Sequence, residues 1–173
     1  GIGSRVLRES VLSLANHTEI NAVVIDIKGD RGMIAFKVPM PLAAEIGALD
    51  LLTIKDVNLM IKTLHERHLY AIARIVVFKD HPLATEHPEY AVKTHSGALF
   101  HDREHLAWTD PFRTEVWNYN IAIAVEAAKA GFDEIQFDYV RFPDVPGGLV
   151  FSQPVNRKSR VGAINGFLAA ARK

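Results

Sequence analysis

Three short runs, each apolar, rich in β-branched residues and ending in charge, constrain this chain more than any other feature. They are NAVVIDIKG (21–29), LYAIARIVVFKD (69–80) and DEIQFDY (133–139). A strand with one wet face alternates apolar and polar residues, whereas a near-continuous apolar run suits a strand covered on both faces, as in a parallel sheet. Parallel neighbours cannot be joined by a tight turn. Each pair needs a crossover, and helical patterns stand in those places.

Residues 53–68 put Val57, Met60, Ile61 and Leu64 on one helix face, with Thr53 and Asp56 placed as N-cap and N3 acid. Over 111–130, Asp110 is the expected cap and Pro111 suits the first turn. Trp117, Ile121, Ala124, Val125 and Ala128 form the stripe, and Gly131 fits the left-handed position after the end. Weaker helices are expected over 4–16, with Leu7, Val11 and Leu14, and over 159–172, with Val161, Ile164, Leu168 and Ala171. These stripes read as core. GMIAFKV (32–38) is a candidate fourth strand. The expected class is α/β with parallel strands.

The stretch from Lys79 to Asp110 is anomalous, since a regular βα loop has about 2–6 residues. It carries Pro82, Pro88, five histidines and Trp108, and it leaves from a strand's C-terminal end, where α/β folds hold their ligands. It reads as part of a binding rim, with a poorly ordered surface excursion as the alternative.

All three runs place charge at that same end: Asp26, Lys28 and Asp30; Lys79 and Asp80; Asp138 and Arg141. An unpaired buried carboxylate is costly, so these groups must be paired, hydrogen-bonded or wet. Side-chain alternation puts Gln136 and Asp138 on one face, Phe137 and Tyr139 on the other, and Asp26 beside Val24. Asp26 and Asp138 are therefore expected to look into one pocket. A purely structural alternative pairs Asp26 with Lys28 or Arg141 and gives Asp138 the N–H groups of the following turn.

Twenty basic and twenty acidic residues balance, so electrostatics gives no reason to expect nucleic acid or an anionic membrane as partner. No apolar run approaches the roughly 20 residues that cross a bilayer. The absence of cysteine excludes disulfides and thiolate chemistry. It leaves the compartment open; an extracytoplasmic or cell-envelope location is compatible, although GIGSRVLRES has no signal-peptide core. HDREH (101–105) sets His101 and His105 at helical spacing, but HExxH is absent, as are GxGxxG and GxxxxGK[ST]. No metal or cofactor is expected.

INAVVIDIKGDRG, followed by WTDPFRTEVWNYNIAIAVEAAKAGFDEIQFDYVRFP, resembles the glycoside-hydrolase family first catalogued as a domain of unknown function, DUF4015. The turn at Gly29–Arg31 is less acidic than that family's. The resemblance implies a (β/α)8 barrel, a carbohydrate substrate and acid catalysis. It marks Asp26 and Lys28 on the first strand and Asp138, Tyr139 and Arg141 on the third. A complete barrel needs about 250 residues. The expectation is therefore a partial (β/α) barrel, roughly the N-terminal half of a TIM-barrel-like domain. It would be one domain over 1–173, incomplete at both ends and able to self-associate through exposed sheet edges. Asp138 is the expected nucleophile or charge stabiliser, kept ionised by Arg141. Asp26 and Asp80 are the local candidates for proton donor, and Lys28, Asp80, Trp108, Gln136, Tyr139 and Arg141 for sugar contacts. A non-catalytic carbohydrate-binding module is the alternative.

Overall fold

The computed structural model describes residues 4–145 and 147–173. In chain order its elements are α1 (Arg5–Asn16), β1 (Ala22–Lys28), α2 (Pro41–Glu45), α3 (Val57–His65), β2 (Tyr70–Val76), α4 (His81–Glu86), β3 (Lys93–Thr94), α5 (Thr114–Lys129), β4 (Glu134–Asp138), β5 (Leu149–Val150) and α6 (Arg157–Ala171). The three apolar runs become β1, β2 and β4, a parallel sheet with β2 in the middle. The connections between them pass through α3 and α5, as parallel pairing requires. Neither outer edge, of β1 or of β4, has a further strand partner among the described residues.

One face of the sheet is covered. Ile25, Ile27, Ala71, Ala73 and Ile75 are buried there. Phe167 of α6 is fully buried, with Phe78, Phe137 and Trp117 set edge-on to it at 5.6, 5.1 and 6.4 Å between ring centroids. The opposite face carries Val24, Asp26, Arg74 and Gln136, of which Val24, Asp26 and Gln136 are exposed.

Several local expectations are corrected. Asp56 is itself the N-cap of α3, accepting from the Leu59 N–H at 2.8 Å, while the Thr53 N–H pairs with the Ala35 carbonyl. Asp110 does not cap α5, which begins at Thr114. Its carboxylate instead accepts from the Phe112 N–H and, at 2.6 Å, from Ser152, tying the chain beyond β4 to the start of α5. The buried face of α5 is Val116, Tyr119, Asn120, Ile123, Ala124 and Ala127, with Val125 45% exposed. The helix is rotated so that Asn120 meets a buried lysine, a polar demand that apolar periodicity does not reveal. α6 likewise buries Ala163 and Phe167 and exposes Val161 and Leu168.

The stripe of α1 is not core in this chain. Leu7, Val11 and Leu14 are about half exposed, and the first two line an open groove of about 1150 Å³ between α1, the free edge of β1 and α3. GMIAFKV forms no strand beyond a single bridge, Lys28 to Ile34, although Ile34, Phe36 and Val38 are buried. HDREH is a turn rather than a helix, closed by a bridge from His101 to Ala107. The long 79–110 connection is ordered: it contains α4 and β3 and buries Val92, Phe100 and Trp108. The start of this connection packs closely against Gly32. The φ of Gly32 is +80°, and a Cβ there would lie 2.4 Å from Asp80 Oδ1 and 2.6 Å from Pro82 Cδ.

Candidate active site

The centre of the site is a residue that pattern-reading passed over. Arg74 lies on the open face of the central strand, opposite Asp26 on β1 and Gln136 on β4. Its Nη1 donates to Asp26 Oδ1 at 2.8 Å, and its Nη2 approaches Asp30 Oδ1 at 3.4 Å. Its Nε and Nη2 both reach Asp138 Oδ2, at 2.8 and 2.7 Å. One guanidinium thus gathers three carboxylates. Partial burial alone would lower the Arg74 pKa, but the bonds to Asp26 and Asp138 outweigh it and raise it. A signal existed: a single arginine on the outward beat of an apolar run needs an acid, and both flanking strands carry one on the same face.

Asp26 and Asp138 are therefore brought together on one face of the sheet, through Arg74 and not through Arg141. Burial pushes the Asp138 carboxyl upward. The Tyr139 N–H, donated to Oδ1 at 2.7 Å, the Arg74 guanidinium and the charge of Arg141 together hold it below the usual carboxylate range. Oδ2 takes two donors and Oδ1 one, so Oδ1 keeps a free lone pair.

The sign of this shift sets a pH dependence. A depressed folded-state pKa contributes stability above the unfolded value, about 3.9, and that stability is lost as pH falls through the folded value. The difference in Tm between the wild-type chain and Asp138→Asn is expected to stay flat from neutral pH down to about 4 and to narrow below it. Thermal unfolding followed by circular dichroism across that range measures it.

Lys28 and Asp80 lie elsewhere. Simple alternation would put Lys28 on the Asp26 face, but the β1–β2 register shifts between these residues, with Ile27 as the extra residue. The bulge turns Lys28 to the covered side, where it is fully buried. Its Nζ meets Asp80 Oδ2 at 2.7 Å, the Val76 carbonyl at 2.6 Å and Asn120 Oδ1 at 3.1 Å. The ammonium donates to the Val76 and Asn120 oxygens, and the Asp80 carboxylate balances its charge. Desolvation lowers the Lys28 pKa, and Asp80 opposes that effect. Neither side chain reaches the opening, so the structure does not bring these two to the rim with Asp138.

Around the rim, Lys79 pairs with Asp102 at 3.1 Å and Glu104 at 2.8 Å. Burial would lower its pKa, but the bonds to Glu104 and Asp102 raise it. The Trp108 indole N–H donates to Asp102 at 3.0 Å. Trp108 is only 3% exposed, and its faces are occupied by Tyr139, 5.7 Å away, and by the Arg141 guanidinium at 5.0 Å. It supports the rim rather than offering an open ring. Gln136, Tyr139 and Arg141 do reach solvent. Among the described residues no group of three or more histidine or acidic side chains is placed to hold a metal ion. No helix among them is long and apolar enough to cross a membrane.

Comparison with solved structures gives the same architecture. A hypothetical protein from Ruminiclostridium thermocellum superposes with a TM-score of 0.87 at 40% identity, covering 99% of this chain and 87% of that one. An α-galactosidase from Thermus thermophilus, in complex with p-nitrophenyl α-D-galactopyranoside, gives 0.64 at 16% identity over 96% of this chain and 32% of its own. The glycoside hydrolase domain of PelA from Pseudomonas aeruginosa gives 0.52 at 14% identity, over 88% and 55%. These last two likenesses are of fold: a part of a (β/α) barrel, with this chain spanning about a third of the α-galactosidase. No curated protein matches. The family described as "Putative glycosyl hydrolase domain", DUF4015, matches residues 1–173, and the chain belongs to it.

Proposed function

We propose that the open face of the sheet is a carbohydrate site and that Asp138 is the carboxylate that attacks, or stabilises, an oxocarbenium-like centre. The observation that supports this is Arg74, which pairs with Asp26 and Asp138 from the two strands that flank its own and helps to hold the Asp138 carboxyl below the usual carboxylate range. A nucleophile must be charged before the sugar arrives, and a paired guanidinium keeps it so. Oδ1, with its spare lone pair, is the oxygen placed to reach an anomeric carbon. Asp26 then serves as the counterweight that keeps Arg74 in place. Tyr139, Gln136 and Arg141 are the solvent-facing groups nearest in sequence to contact hydroxyls.

A proton donor is a different requirement. It needs a carboxyl in an apolar or like-charged setting. Asp26 and Asp138 lie against Arg74, and Asp80 lies against Lys28, so none of the three has that setting. This favours a second reading, a carbohydrate-binding module whose carboxylates bond sugar hydroxyls without cleaving the chain. Release of new reducing ends from a panel of polysaccharides, measured alongside binding to the same panel, separates the two. The catalytic reading expects release that Asp138→Asn removes. Binding with no release by the wild-type chain would establish the module.

A further inference from the structure

The cations near this end of the sheet are not alike. Arg74 has three carboxylates, Lys79 has two and Lys28 has one. Arg141 is exposed, and among the described residues it has no ion-pair partner. Its side chain donates one hydrogen bond, from Nη1 to the Phe142 carbonyl at 3.2 Å. The remaining N–H groups of its fork have no protein acceptor among the described residues.

Arg141 is nevertheless held in place. Its guanidinium lies 5.0 Å from the Trp108 ring centroid and 5.1 Å from that of Tyr139. A solvated surface arginine sweeps through many rotamers; one seated on two rings loses much of that freedom before any ligand arrives. The seat itself is strained. Tyr139 has φ +51°, a left-handed conformation costing on the order of 1 kcal/mol for a residue with a Cβ. That conformation lets its N–H bond Asp138 while its ring packs on Trp108. Positive charge continues beyond this point. Arg141, Arg157 and Arg160 line an open groove of about 560 Å³, and no acidic residue lines it.

We propose that Arg141 selects an acidic saccharide, its guanidinium receiving the carboxylate of a uronic acid or a sulfate ester on the sugar next to the one at Asp138. The inference rests on the reading of the Asp138 face as a carbohydrate site. A planar fork with free parallel N–H groups matches both anions bidentately, and the neutral hydroxyls of an uncharged sugar would leave that charge unanswered.

The test is a glycan array carrying neutral, uronate-bearing and sulfated oligosaccharides, followed by calorimetric titration of those that bind. The bound glycans are expected to be acidic. Arg141→Gln should weaken them about tenfold or more, the loss of one charge-assisted contact, and Arg141→Lys should fall between. Methyl esterification abolishes the preference if a uronate is the ligand, and desulfation does so if a sulfate is. Binding to neutral glycans only, binding unchanged by Arg141→Gln, or no binding to the array would each overturn the proposal. The reducing-end assay of Asp138→Asn is read independently, so acid selectivity can fail while the role of Asp138 stands, and the reverse.

Discussion

Asp138→Asn is expected to lower kcat by about 10⁴- to 10⁶-fold on any polysaccharide the wild-type chain cleaves, the range over which an enzyme loses turnover with a catalytic side chain. The substitution is nearly isosteric. Its single amide oxygen can replace only one of the two carboxylate oxygens, so either the Tyr139 N–H or the Arg74 pair loses its acceptor, while Arg74 still has Asp26 and Asp30. What disappears is the charge that must meet the positive anomeric carbon. A companion variant examines the cause of that charge. Arg74→Met leaves Asp26 and Asp138 on one face without the cation between them. Asp138 then loses one of the groups that hold its pKa down, and the acid limb of the kcat profile is expected to move to higher pH. A profile that stays where it was would take Arg74 out of the mechanism. Initial rates of reducing-end release over pH 3–8 measure both effects.

Lys28→Met is expected to be the most damaging single change to stability, about 3–5 kcal/mol, the usual consequence of breaking a buried ion pair from one side. The methionine fits the channel that the lysine stem occupies. The loss comes from what is left behind: the Asp80 carboxylate, the Val76 carbonyl and Asn120 Oδ1, all buried, lose their common donor. Asp80→Asn preserves the oxygen that caps α4 at Leu83 and removes the stranded charge. The double variant Lys28→Met/Asp80→Asn should therefore recover part of the loss, with a coupling of about 1–3 kcal/mol in the cycle. Urea denaturation of the four proteins provides it. Additive single effects would show that Lys28 and Asp80 act separately.

The two predictions divide a set of residues that looked alike in sequence. Asp26, Lys28, Asp80 and Asp138 are all charged residues at strand ends, and periodicity alone assigns them to one rim. The structure sends Asp26 and Asp138 to the open face and Lys28 and Asp80 to the covered one. For Lys28 the cause is one extra residue in β1, whereas Asp80 lies beyond the end of β2, where it caps α4. A bulge depends on how two strands hydrogen-bond, and nothing in IDIKG specifies that pairing by itself. Arg74 was missed for a related reason. Within LYAIARIVV it reads as one polar residue in an apolar run, and its importance comes from two acids that lie 48 and 64 positions away.

The alternation of apolar runs with helical stripes was enough to establish parallel strands, because only crossovers can join such strands and only the helix period can supply them. Alternation also separated Asp138 from Phe137 and Tyr139 within its strand, since side-chain direction repeats every two residues, but the shared side of Asp26 and Asp138 came from the pairing of both strands with β2. Which helix face turned inward, which lysine was swallowed and which arginine took the middle were decided in three dimensions. Those outcomes depend on pairing one strand's polar groups with another's, and a buried charge accepts whichever partner the register brings within about 3 Å.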